Sequence, residues 1–141
     1  MTETKLASLT LHGYKTFAKE TKLVFPARIT AIVGPNGSGK SNVADAIRWV
    51  LGEQSYTMLR AKKTEDMIYS GSENRSRAGM ASVSITFDNQ TNWLPIDYSE
   101  VTLTRRAYRD GQNEYLLNNQ RVRLKDFHEL LAKTGLADRT Y

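Results

Sequence analysis

Residues 34–41 read Gly34-Pro35-Asn36-Gly37-Ser38-Gly39-Lys40-Ser41, and no other stretch of the chain restricts its fold as much. The pattern is a complete Walker A phosphate loop, which functions only between a buried strand and a helix. Both flanks fit. Arg28-Ile29-Thr30-Ala31-Ile32-Val33 is a short, β-branched apolar run without Gly or Pro and predicts a buried strand. After the loop, Val43, Ala44, Ile47, Val50 and Leu51 recur at helical spacing on one face. Gly52 follows where a helix C-terminal cap belongs.

Each loop position has a physical task. Gly34, Gly37 and Gly39 permit backbone conformations and close approaches that a Cβ blocks. The backbone N–H groups can then turn inward around β- and γ-phosphate oxygens. The helix N-terminus adds roughly half an elementary positive charge. Lys40 is a point charge for the β/γ oxygens, and the Ser41 hydroxyl is the expected Mg²⁺ ligand, a hard oxygen for a hard cation. A Gly-rich turn that binds nothing is the bland alternative. The filled motif in its strand–loop–helix context weighs against it.

The chain has 141 residues, enough for one domain with a core. Hydrophobic residues make up 40% and charged residues 25%, as in ordinary globular domains. The absence of cysteine excludes a disulfide framework and a Cys-based metal site. No apolar run approaches the roughly 20 residues that span a bilayer. Met1-Thr2-Glu3-Thr4-Lys5-Leu6-Ala7 contains no signal-peptide apolar region, so the expectation is a cytoplasmic protein without a membrane partner. The net charge of +5 favours polyanionic partners only weakly.

Along the chain, Lys5 to Gly13 and Lys22 to Phe25 read as two strands joined by a loop with Tyr14, Lys15, Thr16 and Phe17. Gly71 to Gly79 is a polar loop. Ala81 to Phe87 alternates cleanly, with Val83, Ile85 and Phe87 on one face. After a loop from Asn89 to Ser99, Glu100 to Tyr108 predicts a strand with Val101 and Leu103 inward. Asp110-Gly111 signals a hairpin, Glu114 to Leu117 its return strand, and Asn118-Asn119 a further turn before Arg121 to Arg123. A last helix is expected from Leu124 to Thr134, with Leu124, Phe127, Leu130 and Leu131 on one face and Gly135 as cap. One P-loop βα unit combined with an antiparallel meander and a C-terminal helix points to an α/β fold, the ATP-binding-cassette (ABC) type of P-loop ATPase.

The run Gly34 to Asn42, followed by Asp45-Ala46-Ile47-Arg48-Trp49-Val50-Leu51-Gly52-Glu53-Gln54, resembles the N-terminal head segment of bacterial SMC (structural maintenance of chromosomes) proteins. So do Leu59-Arg60, Glu65 to Ser72, Leu94 to Asp97, Thr104 to Arg106, Asn118 to Gln120 and Arg123 to Asp126. The resemblance covers nearly the whole chain. It implies the N-terminal lobe of an ABC-type ATPase head spanning residues 1–141. In the family the glutamine of the Q-loop, a coiled coil with a hinge, the signature motif and Walker B lie further along. It implies ATP and Mg²⁺ as ligands and ATP hydrolysis by the full-length protein. The implied partners are the C-terminal half of the same head, a second head in a homodimer, a kleisin subunit with its accessory protein, and DNA. It also implies a nucleoid-associated role in chromosome condensation and segregation.

Carried onto this sequence, the resemblance makes residues 34–42 the nucleotide cradle: Gly34, Pro35, Asn36, Gly37, Ser38, Gly39, Lys40, Ser41 and Asn42. Asn36 approaches the γ-phosphate. Lys40 and Arg60 are the catalytic candidates. Arg60 matches the family arginine that reaches the phosphates, a role that suits a planar fork of donors. By itself Arg60 reads as a solvated loop cation. Lys15 and Thr16 match the family's Phe-Lys-Ser-Phe element beside the nucleotide, from which Tyr14 and Thr16 depart. Tyr56-Thr57 also departs from the family pattern.

The resemblance places Lys63, Arg123 and Lys125 on a DNA-facing surface, where they would neutralise phosphates without sequence preference. The meander arginines Arg105, Arg106 and Arg109 are weaker candidates, and Arg121 leads with Arg123 and Lys125 into the last helix. The alternative is a set of ordinary solvated charges offset by Glu65, Asp66, Asp110 and Asp126. Tyr108 and Tyr115 read as cross-strand packing rather than base stacking, and His12 and His128 as structural. Asp45 and Asp66 have no strand motif that would make either a general base. Three functional readings stand at this point: half of an SMC ATPase head, inactive in hydrolysis until completed; the head of a related DNA-repair P-loop ATPase; or a nucleotide- or DNA-binding module without turnover.

Overall fold

The computed structural model describes residues 6–15, 19–24, 38–52, 68–71 and 79–134, with the backbone alone for 38–42. The expected Walker strand at 28–33 and the Gly135 cap lie outside the described residues. The elements are β1 (Leu6–His12), β2 (Thr21–Val24), α1 (Ser38–Val50), β3 (Met80–Asp88), β4 (Glu100–Tyr108), β5 (Asn113–Leu117), β6 (Gln120–Val122) and α2 (Leu124–Ala132). Strands stand in the order β2-β1-β3-β4-β5-β6, with every neighbouring pair antiparallel.

Register explains the core. Leu9, Ile85, Leu103 and Leu117 form one cross-strand row, and Leu11, Val83, Arg105 and Tyr115 form the next. All belong to one face, because side chains alternate along a strand with period two. Helix α1 packs on β3 and β4 there, and Phe127 of α2 meets Tyr115 edge-on at 5.5 Å. The opposite face is hydroxyl-rich. Ser84 bonds Thr104 at 2.8 Å, and Thr86 bonds Thr102 at 2.9 Å.

The buried face of α1 differs from the one its apolar pattern predicts. Val43, Val50 and Leu51 are buried, but Ala46 and Trp49 join them, while Ala44 and Ile47 are only partly covered. The helix is buried over a wider arc because the Tyr14 ring packs on Trp49, 5.3 Å away, while β3 and β4 cover the helix from the sheet. In α2, Phe127 and Leu131 are buried, whereas Leu124 and Leu130 are half-buried.

Turns follow local chemistry. Asn118 and Asn119 have φ of 48° and 71°, the paired left-handed geometry of a tight hairpin turn. Thr102 N–H donates to Asn118 Oδ1 at 2.7 Å, tying that turn to β4. The Asn89–Ser99 loop is irregular but ordered around one side chain. Asn89 Nδ2 donates to the carbonyls of Leu94, Ile96 and Tyr98 at 3.2, 3.2 and 2.8 Å, and its Oδ1 accepts from Leu94 N–H at 2.8 Å. These bonds satisfy the carbonyls and allow Leu94 to be fully buried beside them.

Gly52 ends α1 with φ of 111°. A Cβ there would stand 2.7 Å from His128 Nε2 of α2. Gly52→Ala is therefore expected to destabilise the fold by about 1–2 kcal/mol, mainly from left-handed strain, with the exposed His128 ring swinging aside. A thermal melt of the variant checks this, and an unchanged midpoint would refute the strain.

Candidate functional site

The P-loop sequence runs directly into α1, whose first helical residue is Ser38. Residues 38–41 thus form the first turn, where backbone N–H groups lack intrahelical acceptors and the helix dipole is positive. No acidic residue stands in that turn to compete for those donors. This is the donor set that suits a phosphate: orphan amides, Lys40 and a hydroxyl at Ser41. The backbone of Ser38, Gly39, Lys40, Ser41 and Asn42 is helical, as the motif requires. Gly34, Pro35, Asn36, Gly37, Thr16, Arg60 and Lys63 lie outside the described residues.

The loop after β1 is held against the same helix. Tyr69 N–H donates to Gly13 O at 2.7 Å, and Tyr14 pairs with Ile68 across an isolated bridge. Arg109 Nη2 in turn donates to Tyr69 O at 2.9 Å. Lys15 adopts φ of 49° and extends its ammonium to Asp45 Oδ2, 2.9 Å away. Arg48 Nη1 reaches Asp45 Oδ1 at 3.3 Å. Asp45 is 1% exposed, so its charge is tolerated inside because two cations meet it. An amphipathic reading of the helix puts a carboxylate on the wet side. The cations that draw it inward come from a distant loop and from one turn on, so periodicity alone does not report it.

Arg105 is a correction. Read as a weak DNA candidate, it is 6% exposed and sits on the core face of β4. Its guanidinium lies 4.7 Å from the Trp49 ring and 5.2 Å from the Tyr115 ring. Nη1 donates to Trp49 O at 2.9 Å, and Nε donates to Asn113 Oδ1 at 3.0 Å. The signal was present in the sequence, since Arg105 is in phase with Val101, Leu103 and Ala107, all buried.

Of the DNA candidates, Arg123 and Lys125 are exposed at the start of α2. The Arg123 backbone N–H donates to Asp126 Oδ2 at 2.9 Å, a first-turn carboxylate favourable to the helix dipole. Arg121 is committed to Glu114, which also accepts from Tyr108 Oη at 2.7 Å. The Tyr108 bond, then the Arg121 bond, holds the Glu114 carboxyl below the usual range, and the same carboxylate holds the Tyr108 phenol above its own. Tyr115 packs on Phe127 and Arg105, as cross-strand packing requires. His128 Nε2 faces Gly52 O at 3.4 Å, and both His128 and His12 are exposed. Among the described residues no group of three His, Asp or Glu could hold a metal, and no helix is long and apolar enough to cross a membrane.

The family model for the RecF/RecN/SMC N terminal domain matches residues 5–139. The Chromosome partition protein Smc of Lactiplantibacillus plantarum is 54% identical over 132 residues, 94% of this chain. This chain spans 11% of that relative's length. A solved structure from work on ATP-driven dimerization and DNA stimulated activation of SMC ATPases has a TM-score of 0.88 at 40% identity, covering 92% of this chain and 79% of that one. The Pyrococcus furiosus Smc head domain, bound to the C-terminal domain of ScpA, has a TM-score of 0.87 at 40% identity, covering 93% and 33%. With its antiparallel sheet, its P-loop helix and these likenesses together, the chain belongs to the SMC family, as an N-terminal head segment with the fold of an ABC-type ATPase lobe.

Proposed function

We propose that this chain is the ATP-gripping half of an SMC head and that its full-length protein hydrolyses ATP. One observation carries the reading: residues 34–41 complete a phosphate loop that enters α1 at Ser38, with no acid in the first turn to repel a triphosphate. The chain's membership of the SMC family supports ATP over other polyanions. In this reading the loop amides and Lys40 bind the phosphates. Asn36 and Arg60 approach the γ end, and Lys15 and Thr16 flank it. Ser41 would hold Mg²⁺, which when bound neutralises phosphate charge.

Turnover requires a Walker B carboxylate and a signature motif, which this stretch of sequence does not contain. In the proposed protein the C-terminal half of the same head supplies the first, and a second, facing head the other. The P. furiosus head with ScpA supports a kleisin partner, and work on DNA stimulated SMC ATPases supports DNA as another. Lys63, Arg123 and Lys125 are the proposed phosphate-contacting cations, and the assembly acts in DNA entrapment and chromosome segregation. Calorimetric titration of the full-length protein with ATP·Mg²⁺ tests the reading. One saturable site per chain is the expected result, and no saturable binding would overturn it.

A further inference from the structure

Lys15 is expected beside the nucleotide, and in the structure its ammonium is engaged by a carboxylate of the P-loop helix itself. We infer that Asp45 is a positioning residue: it fixes Lys15, and with it the loop 13–15, against the phosphate end of α1. The inference deepens the proposal that residues 34–41 hold ATP and rests on it.

Position 45 is one helical turn beyond position 41, about 6 Å further along the axis. A lysine ammonium held on that carboxylate therefore stands within a side-chain length of the first turn. The pair closes a long sequence gap, from residue 15 to residue 45, at 2.9 Å, with the lysine side chain only 11% exposed and the aspartate 2%. Around it the loop is constrained on several sides: Gly13 O by Tyr69 N–H, Tyr14 by Ile68 and by the Trp49 ring, and Lys15 by its left-handed backbone. A free lysine has roughly 2 kcal/mol of rotamer entropy to lose. Lys15 has surrendered most of it before any ligand arrives, which is the physical content of preorganisation.

A competing effect makes the inference testable by sign. Asp45 is itself an anion near the proposed triphosphate, and it cancels one of the two positive charges beside it. If Asp45 acted only through its charge, neutralising it would strengthen ATP binding. If it positions Lys15, neutralising it weakens binding, because the ammonium and its loop are released.

The experiment measures ATP·Mg²⁺ affinity of the full-length protein by titration for Asp45→Asn, Lys15→Met, the double variant and Lys40→Ala. Each variant is measured at a temperature where its melting curve shows it folded. Asp45→Asn and Lys15→Met are each expected to weaken binding about tenfold, or roughly 1.4 kcal/mol. The double variant is expected to bind no worse than Lys15→Met alone, a non-additivity that a merely structural aspartate would not produce. Unchanged or tighter binding by Asp45→Asn overturns the inference, as does additive loss in the double variant. Should Asp45→Asn not fold, Lys15→Met decides alone, and wild-type affinity in it is equally fatal. Failure of the underlying site is distinguishable: it appears as no binding by the parent protein, or as no effect of Lys40→Ala.

Discussion

Lys40→Ala is expected to weaken ATP·Mg²⁺ binding by about a hundredfold in the full-length protein and to leave the fold intact. The residue stands in the first turn of α1, two positions after the helix begins at Ser38. In the proposed site a lysine there would meet phosphate oxygens through charge-assisted hydrogen bonds, each worth about 1.5–3 kcal/mol. The upper part of that range corresponds to two decades of affinity. Alanine is a better helix former than lysine, so α1 loses no intrinsic stability. The variant is thus a clean probe of ligand contact, and a calorimetric titration against the parent protein reads it. Equal affinity in the two proteins would refute the assignment of the loop. A drop in melting temperature together with affinity would mean that the residue serves the fold instead.

Arg105→Met is expected to cost about 3 kcal/mol of stability, with a fall in melting temperature on the order of 10 °C. The guanidinium fills the gap between Trp49 and Tyr115, satisfies the buried Trp49 O and donates to the half-buried Asn113 Oδ1. An acceptor left unpaired in the interior costs about 1–3 kcal/mol, and each desolvated cation–π contact adds about 1–2 kcal/mol. Against this, methionine removes the desolvation penalty of a buried charge, which is why the net figure is far below the sum. A cation at the last turn of a helix also opposes the negative end of its dipole, so α1 loses an electrostatic cap. Arg105→Lys is expected not to restore stability. Its compact ammonium cannot stack between two rings while donating in two directions. Thermal melts of both variants check this, and full rescue by lysine would show that charge alone matters.

Much of this architecture was legible beforehand, for identifiable reasons. Val83, Ile85 and Phe87 alternate because β3 has one buried and one wet face, and local pattern reports that directly. Asn118 and Asn119 announce their turn because few residues other than glycine, asparagine and aspartate tolerate two successive left-handed positions. Arg105 is hidden by its residue type: a charged side chain reads as solvated unless its strand register is followed inward. Asn89 carries no such signal, because its stretch reads only as a loop, although its four hydrogen bonds organise that stretch.

The division between the two levels is physical. Residues 34–41 by themselves determined a phosphate loop at a helix start, because glycine spacing, a lysine and a hydroxyl are local requirements of triphosphate binding. The rest of the SMC resemblance likewise lay in short runs of residues. Tertiary structure alone decided which charges are buried and what they meet. Asp45 and Lys15 are thirty residues apart, and Arg105 and the Trp49 carbonyl are fifty-six, so no periodicity could pair them. Only the antiparallel sheet, by setting β3 and β4 beneath α1 with β1 beside β3, brings these groups within hydrogen-bonding range.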